Sequence, residues 1–256
     1  EQVKTPVPYP WTIHMVAQNS FVTDVELLLS WNAINATGAH RHYIARVQGQ
    51  PINIGILVDA TYDIGRIEDV HWNPWASTSQ PFMSWQLTHG RAFVFGRSDW
   101  EYVLNTFAFG YAIGYHFIQT PTGEMNANLL GLGADLAINA SVQVDASQAP
   151  GLLFTNGEFT AFHTKGWLPG STEQSTQVVV GASNTGPVKF VDSSFWGPDA
   201  QVARLAGTGT VSFSSCEFVQ WALTPGAKGD AAITATAGNL ILQGNDFAMD
   251  GTQLEL

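Results

Sequence analysis

The 256-residue sequence has very little sulfur and few basic side chains. Its one cysteine, Cys216, excludes an intramolecular disulfide, and its place inside a short apolar repeat predicts a buried small residue rather than a nucleophile. Lysine and arginine total 10 against 21 aspartate and glutamate residues, which gives a net charge of −11. This balance excludes a surface built for nucleic acid or for an anionic membrane, and it disfavours a strongly anionic substrate.

Long apolar runs and helical patterns are missing as well. No segment reaches about 18 consecutive apolar residues, which excludes a membrane-spanning helix. No stretch of about twelve residues keeps the i, i+3, i+4, i+7 apolar spacing of an amphipathic helix, so helix should be nearly absent. No charged and then apolar leader opens the chain. We expect a secreted or extracellular protein whose signal peptide is not part of this sequence.

Motifs for metals and for common nucleophiles are absent too. The seven histidines are scattered, and no His-x-x-x-His, Cys-x-x-Cys or regular Asp-x-Asp run occurs. Zinc sites and calcium loops need such spacings, so no metal or other cofactor is expected. There is no Gly-x-Ser-x-Gly and no phosphate-binding glycine loop. Carboxylates and isolated basic residues remain as the candidates for chemistry.

What the sequence does contain is a recurring six-residue frame. An apolar residue is followed by four mostly small or polar residues and then by a second apolar residue, which is Phe in the second half of the chain. The frames occupy residues 22–27, 44–49, 67–72, 102–107, 154–159, 190–195, 213–218 and 242–247. Their starts lie 22, 23, 35, 52, 36, 23 and 29 residues apart, so the longer intervals indicate insertions. A shortest repeat of this length is typical of one coil of a solenoid.

Strand-length apolar runs between the frames identify the kind of coil. They are bounded by Gly, Asp, Asn, Ser and Pro, and they lie at residues 54–58, 92–95, 142–144, 178–180, 203–205 and 231–234. Two or three short strands per coil, stacked so that each coil covers the apolar face of the last, make a parallel β-helix. The sequence therefore predicts one all-β domain over residues 1–256, with roughly eight or more coils and loop insertions in the middle coils.

The stacked frames, the Asn/Asp/Ser-Gly turns and the closing Phe residues resemble the pectate-lyase-like superfamily over about residues 11–256. This resemblance implies a single-stranded right-handed parallel β-helix in a polygalacturonase-related glycoside hydrolase, a polysaccharide lyase or a tailspike-like solenoid. The catalytic motifs of those enzymes do not carry over. Asn105 and Thr106 are followed by Phe107 instead of the Asp of an Asn-Thr-Asp segment, and the Asp-Asp, Gly-His-Gly, Arg-Ile-Lys and Arg-x-Pro-x-x-Arg motifs are missing.

Three long intervals between frames locate a candidate groove. Most of their excess follows the closing aromatic residue, at residues 73–90, 108–133 and 160–175. Insertions at equivalent points of successive coils emerge on one side of a solenoid. These segments hold Trp75, Trp85 and Trp167, whose rings could stack against sugar faces as substrate subsites. The alternative is that the tryptophans only hold the insertions against the coils.

The densest group of carboxylates lies in the same middle coils. Aligning the third and fourth frames places Arg66 over Glu101, and Asp63 one residue from Asp99. Coils about 4.8 Å apart allow two carboxylates to reach the roughly 5 to 9 Å separation of a glycosidase pair. We predict Asp63 and Asp99 as the acid and the base or nucleophile, with Glu101 in reserve. The alternative is that Arg66 and Glu101 form a coil-to-coil ion pair and that Asp69 occupies a turn.

Basic side chains offer a different reaction. His163, beside Lys165, could remove a proton while Arg97 neutralises charge, as a β-elimination requires. Arg66, Arg97 and His163 are accordingly predicted to contact substrate, whichever reaction takes place.

Three functions stay open on the sequence alone. The favoured prediction is hydrolysis of a neutral or weakly charged polysaccharide by paired carboxylates. A polysaccharide lyase acting by β-elimination is disfavoured because the chain has only four lysines. A non-catalytic structural or adhesive solenoid would bury its aromatic residues and pair its middle-coil carboxylates. Since solenoid ends expose strand edges, self-association or further N-terminal coils in a longer chain are also expected.

Overall fold

A computed structural model describes residues 6–161, 175–224, 227 and 229–248. Within these residues the chain is all-β and forms a parallel β-solenoid of about 8 turns, which confirms the predicted fold. The right-handed sense of the coil stays a prediction. No helix in the described ranges is long and apolar enough to cross a membrane.

The described residues form a long succession of short strands interrupted by one helix. In chain order the elements are β1 (Ile13–His14), β2 (Phe21–Leu27), β3 (Asn32–Asn35), β4 (Tyr43–Gly49), β5 (Ile54–Val58), β6 (Arg66–Trp72), α1 (Gln80–His89), β7 (Arg91–Phe95), β8 (Glu101–Phe109), β9 (Ile113–Phe117), β10 (Ala127–Asp135), β11 (Ala140–Val144), β12 (Leu152–Thr155), β13 (Glu158–Thr160), β14 (Thr176–Val180), β15 (Val188–Val191), β16 (Ser194–Trp196), β17 (Gln201–Leu205), β18 (Thr210–Ser214), β19 (Glu217–Val219), β20 (Ile233–Ala235), β21 (Asn239–Gln243) and β22 (Asp246–Ala248).

Two long parallel sheets form the walls of the solenoid. The first sheet has nine strands in the order β1-β3-β5-β7-β9-β11-β14-β17-β20. The second runs β2-β4-β6-β8-β10-β12-β15-β18-β21, and β13, β16, β19 and β22 extend it in the later coils. Each strand pairs in parallel with its counterpart one coil away, as Ile44 does with Ile67 and Phe190 with Phe213. Successive frames are therefore stacked in parallel, as predicted.

One residue per coil bends the second sheet. Its φ lies between 48° and 67° at nine stacked positions along this sheet, and the residues are Asp24, Arg46, Asp69, Asn105, Gly131, Asn156, Asp192, Ser215 and Gly244. This left-handed conformation is tolerated best by Gly, Asn and Asp, which explains the dominant residue types. The position is the third residue of seven of the eight predicted frames. Asp69 has this conformation inside β6, where its carboxylate accepts a 2.6 Å hydrogen bond from the Asn105 side chain, and its capping of a turn stays a prediction.

Stacked aromatic rings fill the interior of the later coils. The residues are fully buried Phe side chains from the first and last positions of the frames. One column is Phe154, Phe190 and Phe213, with ring centres 4.5 and 5.0 Å apart, and the other is Phe159, Phe195 and Phe218, with 5.4 Å at each step. The two columns meet edge to face, which is a favourable arrangement for aromatic pairs. The predicted internal stack is confirmed for these coils.

The fourth frame is one residue away from its predicted register. Ile67 pairs with Val103 rather than with Tyr102. Because successive residues of a strand point to opposite faces, this slip turns Phe107 outward and puts Ala108 in the core. The aromatic residues that suggested the frame lie on the outer face here, so that part of the prediction is wrong.

The predicted insertion at residues 108–133 is also wrong, because the segment is a complete coil. It contains β9 and most of β10, and both strands pair with the coils on either side. Leu129 and Ala134 of β10 pair with Phe154 and Phe159 of the next coil. Because Leu129 and Ala134 occupy the core positions where the next coil has Phe, a pattern based on aromatic residues does not detect this frame.

The predicted insertion at residues 73–90 is confirmed, and it carries α1. Met83 and Leu87 of the helix pack against Leu136, just beyond β10. The side-chain amide of Gln86 donates a 2.9 Å hydrogen bond to the backbone carbonyl of Gly110. These contacts fix the helix beside the ends of β8 and β10, on the outside of the solenoid.

Candidate active site

The predicted catalytic aspartates are each held by a separate arginine. Asp63 is about half exposed and forms an ion pair with Arg41. Asp99 accepts hydrogen bonds from Arg97 and Gln148, each 2.9 Å long. Burial acts to raise the pKa of Asp99, but the hydrogen bonds from Arg97 and Gln148 outweigh it and lower the pKa. An aspartate stabilised in its ionised form is poorly suited to donate a proton.

Asp63 and Asp99 lie in stacked turns of successive coils, and the pairing of these turns differs from the predicted alignment. Ser98 pairs with Thr61, and the Asp99 amide donates to the Thr61 carbonyl at 3.0 Å. Asp63 lies two residues farther along the chain, where it contacts Arg41. The two carboxylates thus interact with different neighbours, and their role as a catalytic pair stays a prediction.

The two arginines predicted to contact substrate both lie over tyrosine rings. Arg66 pairs with Tyr102 instead of Glu101, so the predicted placement of Arg66 over Glu101 is wrong. Its guanidinium carbon lies 5.8 Å from the centre of the Tyr102 ring. The guanidinium carbon of Arg97 lies 5.5 Å from the centre of the Tyr62 ring. Such cation–π contacts stabilise the arginine side chains against the surface of the coils.

Glu101, the reserve candidate, belongs to a buried polar pair. Its carboxylate lies 2.9 Å from His42 Nε2 and accepts a 2.6 Å hydrogen bond from the Ser98 hydroxyl. Burial disfavours the charged form of His42, but the charge and hydrogen bond of Glu101 outweigh it and raise the pKa of His42. The side chains of His42 and Glu101 are fully buried. Because a polymeric substrate cannot reach this carboxylate, the arrangement favours a structural role for Glu101.

Gly65 allows His42 and Glu101 to meet across the coil between them. A Cβ on Gly65 would lie 2.2 Å from Cε1 of His42 and 2.3 Å from Oε2 of Glu101. Real Cβ atoms do not approach other heavy atoms so closely, so any side chain at this position would push the pair apart. The absence of a side chain at Gly65 is therefore a requirement of this contact.

Gly65→Ala should lower the free energy of unfolding by about 1–3 kcal/mol, the usual cost of leaving buried polar groups without their partner. The measurement is urea denaturation followed by circular dichroism. Gly181→Ala is a matched control, because a Cβ there would meet its nearest atom at an ordinary 3.5 Å. Equal stability of the two variants would show that the pair tolerates separation.

The predicted sugar platforms differ in their exposure. Trp75 is 49 % exposed, and its ring lies edge-on to His71 with the ring centres 4.7 Å apart. Trp85 lies between Trp31, at 5.2 Å, and His89, at 4.1 Å, so its faces are covered by other rings. Trp75 is available to a ligand and Trp85 mainly holds α1 in place. Two further predicted contacts lie outside the described residues: Trp167 and His163.

A cleft that the sequence analysis missed opens on the outer face of the second sheet. It encloses about 120 Å³, and its lining residues are Phe107, Gly133, Ala134, Asp135, Glu158, Thr160 and Trp196. Gly133 forms its floor, and Phe107 on β8 and Glu158 on β13 flank it in register. A Cβ on Gly133 would lie 2.7 Å from the ring of Phe107, so the missing side chain lets the Phe107 ring lie over Gly133 and form one side of the cleft.

Two carboxylates in this cleft have contrasting surroundings. Burial raises the pKa of Asp135, and the negative charge of Glu158 adds to the shift. The Thr160 hydroxyl donates a 2.9 Å hydrogen bond to Asp135 and acts in the opposite direction. Glu158 is exposed, and its carboxylate accepts a 3.0 Å hydrogen bond from the Trp196 indole. A partly buried carboxyl group beside an exposed one is the environment that separates an acid from its partner in many hydrolases.

Aromatic side chains continue the cleft along the axis of the solenoid. On one side, the ring of Phe107 lies 5.0 Å from that of His71, which in turn contacts Trp75. On the other side, Trp196 forms the border. The coils from β6 to β16 are about 4.8 Å apart, so this outer face is on the order of 20 Å long. That length suits several consecutive sugar rings rather than a single small molecule.

No family model matches the sequence, and no curated protein matches it. The strand pairings establish the parallel β-solenoid, while membership of the pectate-lyase-like superfamily stays a prediction. Among the residues that the structure describes, no group of three or more His, Cys, Asp or Glu side chains could hold a metal ion.

Another carboxyl group has a raised pKa, but it is closed to substrate. Burial raises the pKa of Asp199 to about 8, against the hydrogen bond that Gln177 donates to it. Asp199 is 0 % exposed. A polymeric substrate cannot reach such a group, so Asp135 is the better candidate for a proton donor.

Asp135 and Glu158 escape the sequence analysis because the coil formed by β9 and β10 is taken for an insertion. The signal that would find them is the left-handed turn position. If Asn105, Gly131 and Asn156 are aligned as third residues of their frames, Gly133 comes to lie between Phe107 and Glu158. These three left-handed residues then identify the outward row Phe107, Gly133 and Glu158 that carries the cleft.

Proposed function

We propose that this protein is a carbohydrate-active β-helix that hydrolyses glycosidic bonds of a neutral or weakly charged polysaccharide outside the cell. The observation that carries the proposal is the pair Asp135 and Glu158, placed in one cleft between aromatic side chains. The proposal keeps the reaction predicted from the sequence, but it moves the reacting carboxylates from the turn with Asp63 and Asp99 to the outer face of the second sheet.

The two carboxylates divide the reaction between them. Asp135, whose pKa is raised by its partly buried position, donates a proton to the glycosidic oxygen as the bond to the sugar carbon breaks. Glu158 either activates a water molecule that attacks the sugar carbon, or attacks that carbon itself. In the second case a water molecule, deprotonated by Asp135, then hydrolyses the glycosyl ester and frees Glu158. Thr160 orients the Asp135 carboxyl group, and the Trp196 indole orients the Glu158 carboxylate.

The lining of the cleft favours an uncharged sugar. Phe107 and Trp196 offer apolar faces for pyranose rings, and Trp75 offers another farther along the groove. Among the described residues, those that line the cleft include two acids and no Lys, Arg or His. A uronate would be repelled by these two acids, so the elimination reaction receives less support.

A second candidate function is a non-catalytic structural or adhesive solenoid. The observation in its favour is that the carboxylates first predicted to react are all paired: Asp63 with Arg41, Asp99 with Arg97, and Glu101 with His42. Such pairing is what a purely structural stack of coils would require in those turns. This alternative leaves the exposed carboxylate of Glu158 and the partly buried carboxyl group of Asp135 without a role.

A panel of polysaccharides separates these functions. Reducing ends and the absorbance of unsaturated products are measured in parallel on each substrate. Hydrolysis gives reducing ends without unsaturated products, whereas elimination gives both. No cleavage of any neutral polysaccharide, with retained binding to one of them, would replace the hydrolase proposal with the non-catalytic one.

The pH profile should depend on Thr160. The acid must be protonated, so kcat/KM should fall as pH rises through the pKa of Asp135, which burial places above the ordinary aspartate value. The Thr160 hydroxyl lowers that pKa, and Thr160→Val, which has a similar shape, removes this effect. The alkaline limb of the profile should therefore move to higher pH in the variant. A limb that stays in place would show that Asp135 is not the proton donor.

A further inference from the structure

The outer face of the second sheet carries a row of large side chains near the starts of its first four strands. Phe21, Tyr43, Arg66 and Tyr102 lie side by side in register on β2, β4, β6 and β8. The residue after each of them is buried in the core, so these four side chains point outward. We call them the aromatic row. Because neighbouring strands are about 4.8 Å apart, the row is about 14 Å long.

The row offers an exposed ring and hydrogen-bond donors to a ligand. Phe21 is 70 % exposed, and its ring has only an edge contact with Tyr43, with the ring centres 6.2 Å apart. The Arg66 side chain is exposed and lies over the Tyr102 ring, and among the described residues it forms no ion pair. Its guanidinium N–H groups are therefore open to acceptors on a ligand.

Trp100, directly before β8, adds another ring at the Tyr102 end of the row. Its indole N–H donates a 3.0 Å hydrogen bond to the Tyr102 hydroxyl, and its backbone amide donates a 3.1 Å hydrogen bond to the Asn126 side chain. Its φ is 63°, a left-handed conformation that is strained for a bulky residue. Burial does not compensate this strain, because Trp100 is 56 % exposed. Strained residues that are held by their neighbours cluster at ligand-binding sites, so the strain indicates a ring positioned for a ligand.

The shape and the borders of the row favour a polysaccharide chain over a protein partner. A stable protein interface covers about 800 Å² on each partner. The aromatic row is one side chain wide, and the ion pair of Asp24 and Arg46 lies three residues farther along β2 and β4. Sugar rings stack their apolar faces on aromatic rings, and sugar hydroxyl groups can accept hydrogen bonds from Arg66 and from the Tyr102 hydroxyl.

We propose that the aromatic row and Trp100 form a second glycan-binding surface, which holds a neutral polysaccharide to the protein without cleaving it. The choice of ligand rests on the proposed function. Among the described residues, Glu68 is the only carboxylate hydrogen-bonded to a side chain of the row, through the Tyr43 hydroxyl at 3.0 Å. Glycoside hydrolysis uses two carboxylates, so this surface binds and the cleft at Gly133 cleaves.

The second surface acts on long chains only. Tyr102 of the row and Phe107 of the cleft are five residues apart on β8, which is about 17 Å along a strand. Different parts of one long polysaccharide can occupy both surfaces, whereas a short oligosaccharide in the cleft does not reach the row. Loss of the row should therefore raise KM for the polymer severalfold, with kcat and the cleavage of short oligosaccharides unchanged.

The test is affinity electrophoresis in native gels that contain laminarin, xyloglucan or glucomannan, with Asp135→Asn as the background so that the polymer stays intact. At least one polymer should slow the migration of this protein. Adding Trp100→Gly or Phe21→Ala should weaken the affinity about two- to tenfold, which is the usual effect of losing one aromatic contact. Leu223→Ala, which shortens an exposed apolar side chain near the later coils, should leave the affinity unchanged.

Glycine at position 100 separates binding from folding. It adopts the left-handed conformation without strain, so Trp100→Gly should have an equal or higher melting temperature together with weaker binding. If the melting temperature falls instead, Phe21→Ala decides the question, because Phe21 is largely exposed.

The two proposals can fail separately. Weaker binding in the row variants supports the second surface even if the unaltered chain cleaves no polysaccharide, which would defeat the proposed function. Cleavage by the unaltered chain, with equal affinity in Trp100→Gly, Phe21→Ala and the background, would overturn the second surface alone. Unchanged migration of the background protein in every gel would overturn it as well.

Discussion

Asp135→Asn should lower kcat/KM for glycan hydrolysis by about 10²- to 10⁴-fold, which is the usual contribution of a general acid. Asparagine keeps the shape of the side chain but cannot donate the proton that the leaving sugar needs. Asp135 lies on the outer face of the second sheet and outside the core, so the fold should be preserved. The loss should be much smaller for an aryl glycoside with an activated leaving group, because its departure needs little protonation.

Asp192→Asn is the matched control for this experiment. It replaces an exposed aspartate on the same sheet, two coils farther along, and its kcat/KM should be unchanged. Equal loss of activity on natural and activated substrates would contradict the role of Asp135 as an acid, and it would indicate that the variant had lost substrate binding instead.

Phe195→Ala should lower the free energy of unfolding by about 3–5 kcal/mol. Phe195 is fully buried, and its ring lies 5.4 Å from Phe159 in the coil before and 5.4 Å from Phe218 in the coil after. Its removal leaves a cavity between two rings that can approach each other only if the coils move. Urea denaturation monitored by far-ultraviolet circular dichroism measures the change.

Phe21→Ala is the control for the core substitution, because Phe21 is 70 % exposed and its ring has only an edge contact with Tyr43. The expected loss is below about 1 kcal/mol. If both Phe variants lost the same stability, the internal aromatic column would not be what holds successive coils together.

The fold could be predicted because each of several coils contains the complete six-residue frame in its own sequence. A frame such as 190–195 places Phe at both of its ends, and the same pattern recurs one coil later, so local sequence identifies the coil without any knowledge of its neighbours. Where the aromatic residues lie outside, as Phe107 does, the pattern misleads by one residue. The left-handed turn residue is the more reliable marker, because Asn105 and Gly131 satisfy a backbone requirement that does not depend on the core.

The candidate cleft could not be predicted in the same way, because it depends on three coils at once. Gly133 lies between Phe107 and Glu158 only when the coils are stacked, and these two residues are 26 and 25 residues away in the sequence. Likewise, the raised pKa of Asp135 comes mainly from burial, which no local pattern reports.

The contact between His42 and Glu101 also could not be predicted from the sequence, because it depends on three coils. Fifty-nine residues separate the two side chains, and the intervening coil must provide Gly65 at one position for them to touch. In the sequence Glu101 looks like a free carboxylate beside Asp99. Only the stacking of the coils shows that it is buried and paired.

The most direct test of the central claim compares reducing-end release by four proteins on one polysaccharide under identical conditions: the unaltered chain, Asp135→Asn, Asp63→Asn and Asp99→Asn. The claim that the cleft at Gly133 carries the chemistry predicts a large loss in Asp135→Asn alone. Both other variants should retain activity near that of the unaltered chain, since their carboxylates serve ion pairs with Arg41 and Arg97. Full activity of Asp135→Asn, with loss in Asp63→Asn or Asp99→Asn, would contradict the account and return the active site to the turn between the first and second sheets.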